Sequence, residues 1–278
     1  MAEVSSDSLA LKSESPLWLV ALAFGLMAAF WPVVSDLVSH IVIHPWARGA
    51  MVFPLLVWIA VRAEGAKAGL ERRWVLRLAL PIALAIELVA VGGDVVRLGR
   101  VALVLAVVAS LFGMGRAGLL TLSLTIWLIP LPSAIAEILS PSLESTWAQI
   151  AASPILGVSF AAGPDGLMLS TEEGGRMVLV PAAGGLALAY ALAGLAWFQG
   201  LMRRLPMHRL MGRSAIAALF SLPIHLGVIG LATIMLSLSP TSLAAQKLLE
   251  HGPWLIVVLA GLVLAVRERV PNTAGETI

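Results

Sequence analysis

Residues 214–238 read SAIAALFSLPIHLGVIGLATIMLSL. The run holds no Asp, Glu, Lys or Arg, and its one ionisable side chain of ordinary pH range is His225. A helix that crosses a bilayer core needs about 20 mainly apolar residues, and this stretch supplies them. Seven more stretches read the same way, near 16–38, 50–62 (with a start as early as Ile41), 75–91, 98–114, 117–131, 181–201 and 248–266. The last is short if it starts at Pro253, about 21 Å of helix. It is therefore expected to begin nearer Leu248 or to thin the bilayer locally. The fourth and fifth are separated only by Arg116 and small residues, which predicts a tight helical hairpin.

Composition points the same way. Of the 278 residues, 59% are apolar and 12% charged, where soluble domains carry roughly 25% charge. That excludes an ordinary soluble enzyme and a disordered tail. The chain has no Cys, which excludes disulfides, thiolate metal sites and a Cys nucleophile. A net charge of +2 is too small to argue for nucleic acid. The expected fold is an all-α polytopic membrane protein of about eight transmembrane helices. Residues 1–15 are expected as an N-terminal tail, 16–266 as a single transmembrane domain and 267–278 as a C-terminal tail.

Orientation follows from Lys and Arg near the span ends. With the N-terminus in the cytoplasm, Lys12, Arg62, Lys67, Arg72, Arg73, Arg77, Arg116, Arg203, Arg204, Arg209, Arg213, Arg267 and Arg269 fall inside. Arg48, Arg97, Arg100, Arg176 and Lys247 fall outside. Both termini are then cytoplasmic, and the expected location is the bacterial cytoplasmic (inner) membrane. The leader of the first span carries Glu3, Asp7 and Glu14 against Lys12, the reverse of a basic signal-peptide region, so the span is expected to remain as an anchor.

Residues 132–180 form the longest stretch without a span and fall on the outer side. Ser140-Pro141 is a helix start, with Ser as N-cap and Pro at the first position. Leu143, Trp147, Ile150 and Ala151 share one face behind it, which predicts an amphipathic helix on the outer membrane interface. Gly163-Pro164-Asp165-Gly166 is a turn cluster. Leu167-Met168-Leu169 and Met177-Val178-Leu179-Val180 flank Glu172-Glu173-Gly174-Gly175, the pattern of a short β-hairpin. Such a segment serves either as a cap between helices or as a functional loop on a rigid scaffold.

Polar residues inside spans are the most informative, because charge at mid-bilayer costs about 2.5–3.5 kcal/mol on insertion scales. Glu87 lies well inside the third span and His225 inside the seventh, at similar depths from the cytoplasmic side. The two either pair within the bundle or each bond separately to a neighbouring hydroxyl or carbonyl. Asp94 and Arg97 are spaced for an i,i+3 pair if that stretch is helical. Arg97 and Arg100 are alternatively outer cations for a carboxylate or phosphate. His40 and His44 are four apart, the spacing of two ligands on one helix, yet no third ligand lies near them, and neither a metal nor a cofactor is expected. Gly184, Gly185, Gly227 and Gly230 read as close-packing positions between helices. No phosphate-binding loop or G-x-S-x-G elbow is present.

The order of features is a further guide. Eight spans, Ile129-Pro130-Leu131-Pro132 after the fifth, then a helix and a hairpin leading to Val180-Pro181-Ala182-Ala183-Gly184-Gly185, resemble the exosortase/archaeosortase family. The resemblance covers about residues 40–266 and is strongest over 127–204. Members of that family are polytopic membrane transpeptidase-like enzymes that cut a C-terminal sorting signal from exported proteins and are often linked to exopolysaccharide production. The resemblance implies a nucleophilic Cys where this chain has Ala183, and an Arg after Pro223 where it has Ala232. Ile229 stands where an Asn is implied. A catalytic His before the last helix matches His251, followed by Gly252-Pro253-Trp254. Alanine cannot attack a carbonyl, and Ser170 and Thr171 lie outside the motif.

The leading expectation is thus an exosortase-like membrane protein without Cys-dependent cleavage. Its partners would be the bilayer and either the C-terminal helix of an exported protein or components of a polysaccharide export system. A second is a divergent membrane peptidase that uses His251 with the outer cations Arg97, Arg100 or Arg176. A third is a small transporter subunit with Glu87 and His225 as a proton relay, against which stands the absence of an inverted repeat or paired broken helices.

Overall fold

The structure is a computed structural model that describes residues 16–43, 45–64, 73–113, 118–129, 146, 149–150, 158–163, 166–172, 174–179 and 185–269. The amphipathic helix expected after Ser140 falls largely outside these residues, as do His44 and Ala183.

Helices α1 (Pro16–Ala29) and α2 (Trp31–Ile43) run on through Phe30, which is fully buried. Phe30 N–H donates to the Leu26 carbonyl and Val34 N–H to that of Phe30, both at 2.9 Å. Pro32 brings no N–H to this junction, so one bond of the ladder is missing there while the helix continues. A 3₁₀ segment, Pro45–Val52, leads into α3 (Phe53–Glu64). Helices α4 (Arg73–Gly92) and α5 (Val96–Gly113) form an antiparallel hairpin. The buried face of α5 is made of Gly99, Ala102, Ala106, Ala109, Ser110 and Gly113. Small residues at helical spacing let two backbones approach closely, and the facing stripe of α4 is Ala83, Glu87 and Ala90.

The fifth expected span is not a regular helix. It comprises a single turn, α6 (Leu119–Leu122), and a 3₁₀ segment, Ser123–Leu128. Ser123 and Thr125 hydroxyls donate back to the carbonyls of Leu120 and Leu122, at 2.5 and 2.6 Å. Bonds of this kind compete with helix geometry. The hydroxyl of Tyr190, the chain's one tyrosine, donates to the carbonyls of Ile126 and Ile129 at 3.1 and 3.0 Å. Tyr190 thereby satisfies carbonyls that the irregular backbone leaves without a helical partner.

Helix α7 (Gly185–Met202) turns back into α8 (Met207–Leu219), which continues through Phe220 into α9 (Ser221–Leu238). Together α8 and α9 make one apolar rod of 32 residues. Helix α10 (Leu243–Arg269) has 27 residues and carries Pro253 in its interior. It starts well before Leu248, so the last span is long enough without local thinning.

A three-stranded antiparallel sheet lies against the far ends of α9 and α10. Its strands are β1 (Val158–Gly163), β2 (Gly166–Thr171) and β3 (Arg176–Leu179), in the order β1-β2-β3. Leu167 pairs with Leu179 and Ser170 with Arg176 across β2 and β3. Leu169 is fully buried in a cluster with Val228, Ile229, Ala232, Leu236, Ala245 and Leu249. Strand β1 was not among the expected elements. Its register runs from Gly163 opposite Gly166 to Val158 opposite Thr171.

Among the described residues, five helical stretches are long and apolar enough to cross a membrane: Trp74–Gly92, Val96–Gly113, Gly185–Met202, Met207–Leu238 and Leu243–Arg267. Large apolar side chains such as Leu88, Leu219 and Val263 stand exposed on them, as contact with hydrocarbon requires. The architecture is that of a predominantly α-helical, multi-pass membrane protein.

Candidate functional site

Side chains from two distant parts of the chain converge on His251, two turns into α10. Glycines bring the 3₁₀ segment Pro45–Val52 close to that helix. A Cβ on Gly49 would lie 3.3 Å from Val257 Cγ1, and one on Gly261 would overlap Val52. This approach puts Arg48 beside His251. Arg48 Nη1 lies 3.3 Å from His251 Nδ1, and its Nη2 donates to the Val42 carbonyl at 3.1 Å. Trp254 Nε1 donates to the same His251 Nδ1 at 3.3 Å. The guanidinium carbon of Arg48 sits 5.8 Å from the Trp254 ring centroid, within cation–π range.

These contacts fix the imidazole. Guanidinium and indole N–H groups only donate, so Nδ1 is the acceptor and the ring proton is on Nε2. That nitrogen faces Glu250 Oε1 at 4.0 Å. The side chains of His251 and Glu250 are 32% and 42% exposed, so the cluster is reachable from outside the fold. It offers a held cation, an aromatic face, an N–H donor and a carboxylate. Its Nδ1 lone pair is already engaged, so the arrangement suits binding better than proton abstraction.

Ala232 lies in the apolar cluster beneath the sheet and is fully buried. A guanidinium there would have to displace Leu169 or its neighbours. Thr171 is buried, and its Oγ1 accepts the Gly175 N–H at 3.1 Å within the β2–β3 turn. Arg176 is exposed on β3, and Arg97 is exposed in the first turn of α5.

Arg100 is not an open cation. Its Nη2 and Nε donate to Asp36 Oδ2 of α2 at 2.7 and 3.2 Å. Glu87 is 4% exposed on the α4 face that meets α5. A Cβ on Gly99 would fall 2.9 Å from Glu87 Oε2 and 2.5 Å from Val33 Cγ2, so Gly99 makes room for the carboxylate. Neither Glu87 oxygen accepts a hydrogen bond among the described residues. His225 is buried on α9, which packs against α7 and α10, and no hydrogen bond joins it to Glu87. Among the described residues no group of three or more His, Asp or Glu is placed to hold a metal.

Arg48 and Asp36 were not singled out in the sequence. Arg48 is 203 residues from its partner, and nothing local links them. Asp36 did carry a signal, an acid within an apolar span.

The fold and these sites define a class, the multi-pass helical membrane proteins. Comparison with protein-family models, with curated proteins and with solved structures yields no match.

Proposed function

We propose that this chain is an exosortase-like membrane protein that binds a segment of an exported protein, or a component of a surface-polymer export system, without Cys-dependent cleavage. The observation that carries this reading is the cluster of Arg48, His251, Trp254 and Glu250. It is partly exposed and polar, and its imidazole lone pair is already accepting hydrogen bonds. A buried apolar Ala232 at the position of the family's Arg supports it further.

The eight-crossing topology with both termini in the cytoplasm belongs to the same proposal. The segment from Pro45 to Glu64 supports it. Its 3₁₀ part and α3 together rise about 34 Å, at roughly 2.0 and 1.5 Å per residue. The third reading, a proton relay through Glu87 and His225, has less support because the two side chains do not bond directly.

The test is co-expression with a tagged exported protein that ends in an apolar helix. Capture without processing, lost on Arg48→Gln, is the expected outcome. Processing that depends on this protein and disappears on His251→Ala would replace the binding reading with a peptidase.

A further inference from the structure

The elbow between α7 and α8 concentrates positive charge. Arg203, Arg204, Arg209 and Arg213 fall within 11 residues, with His208 among them, and no Asp or Glu occurs between Glu173 and Glu250. Arg203, Arg204 and Arg209 are exposed. Among the described residues none of these three makes an ion pair. Arg213 donates to Gln199 Oε1 at 2.9 Å, a neutral partner.

The backbone of the elbow adds a second observation. Leu205 N–H donates to the Gly200 carbonyl at 3.0 Å and Arg204 N–H to that of Leu201 at 2.9 Å. This is a Schellman closure, whose left-handed position is usually Gly. Here that position is Arg204, with φ 54°. A side chain with a Cβ is disfavoured there, and the arginine is held nonetheless.

The level of the elbow is set by α7. Its 18 residues span about 27 Å, close to the thickness of a bilayer core. The arginines begin directly after its last residue, at headgroup depth. Met207 and Met211 are exposed beside them, so apolar side chains and guanidiniums meet at one boundary.

We propose that this elbow is a binding site for the phosphodiester headgroup of an anionic lipid, held by Arg203, Arg204 and Arg209. The site is independent of whatever the His251 cluster binds.

The experiment titrates fluorescent short-chain phosphatidylglycerol into the purified full chain in neutral detergent. Phosphatidylcholine and inorganic phosphate serve as the other arms. Phosphatidylglycerol should bind on the order of a hundredfold more tightly than phosphatidylcholine, because each of the three arginines contributes about fivefold and its removal should cost that much. Arg203→Gln with Arg204→Gln should therefore weaken binding on the order of twentyfold. Arg204→Gly is the control for folding. It should weaken lipid binding while raising the melting temperature, because glycine accepts the left-handed backbone. Lys247→Gln, at an exposed cation elsewhere, should leave the affinity unchanged. Equal binding by the wild type and the double variant, or equal binding of the two lipids, would overturn the proposal. Displacement of phosphatidylglycerol by millimolar inorganic phosphate would overturn it in favour of a soluble phosphate ligand.

Discussion

The α4–α5 elbow and the α7–α8 elbow close on the same backbone plan. At the first, Val95 N–H reaches the Ala90 carbonyl at 2.8 Å, and Asp94 takes the left-handed position with φ 53°. At the second, Leu205 reaches Gly200 and Arg204 takes that position. The two differ in what surrounds the turn. Beyond the first, Arg100 is turned inward and neutralised by Asp36. At the second, three arginines stand exposed with no carboxylate partner among the described residues. A cation consumed inside a fold stabilises it, whereas a cation left outside is available to a partner. The same turn thus serves packing in one hairpin and recognition in the other.

The largest expected effect separates how the two hairpins pack. Gly99→Ala places a methyl against Val33 Cγ2 and Glu87 Oε2, at 2.5 and 2.9 Å. Val33 is β-branched and stiff, and the helices must shift to relieve it. The expected loss is about 1–3 kcal/mol, read as a lower melting temperature in detergent. At Gly200 the added methyl meets only the far end of Leu210, a core side chain with two adjustable torsions where Val33 has one. Gly200→Ala should cost less than half as much. Equal costs at the two positions would remove the contrast in packing.

A smaller effect tests the neutralised cation. Asp36→Asn removes the charged acceptor from Arg100, whose side chain is only 11% exposed. The Asp36 side chain is 37% exposed, so solvent screening holds the expected loss to about 0.5–1 kcal/mol. Combining it with Arg100→Gln should recover part of that loss, because no unpaired guanidinium then remains. Additive single losses would mean that the pair is a surface contact only.

The parts of this molecule that were legible in the sequence are those that depend on neighbours along the chain. The spans at 75–91 and 98–114 agree with α4 and α5 because apolar runs and the Gly92-Gly93 break are local signals. The 214–238 run proved to be the second part of a longer rod, since nothing between Met207 and Ser214 forbids a helix. The 117–131 stretch departs from a regular helix for the opposite reason. Its composition is apolar, but Ser123 and Thr125 bond back to nearby carbonyls, and the carbonyls at its end are satisfied by Tyr190, more than 60 residues away. The site shows the same division. His251, Glu87 and His225 stand out by type and position, whereas Arg48 and Asp36 gain their roles from partners brought together only by folding.

The smallest expected effect concerns the separation of the two parts of the bundle. Glu87 belongs with Ala83 and Ala90 on the face that meets Gly99 of α5, while His225 is buried on α9 beside α7 and α10. Similar depth in the membrane invites the idea that they pair. The carboxylate of Glu87 accepts no hydrogen bond among the described residues, which argues that they do not. If they are energetically separate, the losses on Glu87→Gln and His225→Asn should add. A double-mutant cycle on thermal stability in detergent should then give a coupling below about 0.5 kcal/mol, the scatter expected for independent sites. A coupling above about 1 kcal/mol would mean that a shared water or a shift of α4 toward α9 connects them. The two parts would then act as one polar core, and the relay reading would regain its footing.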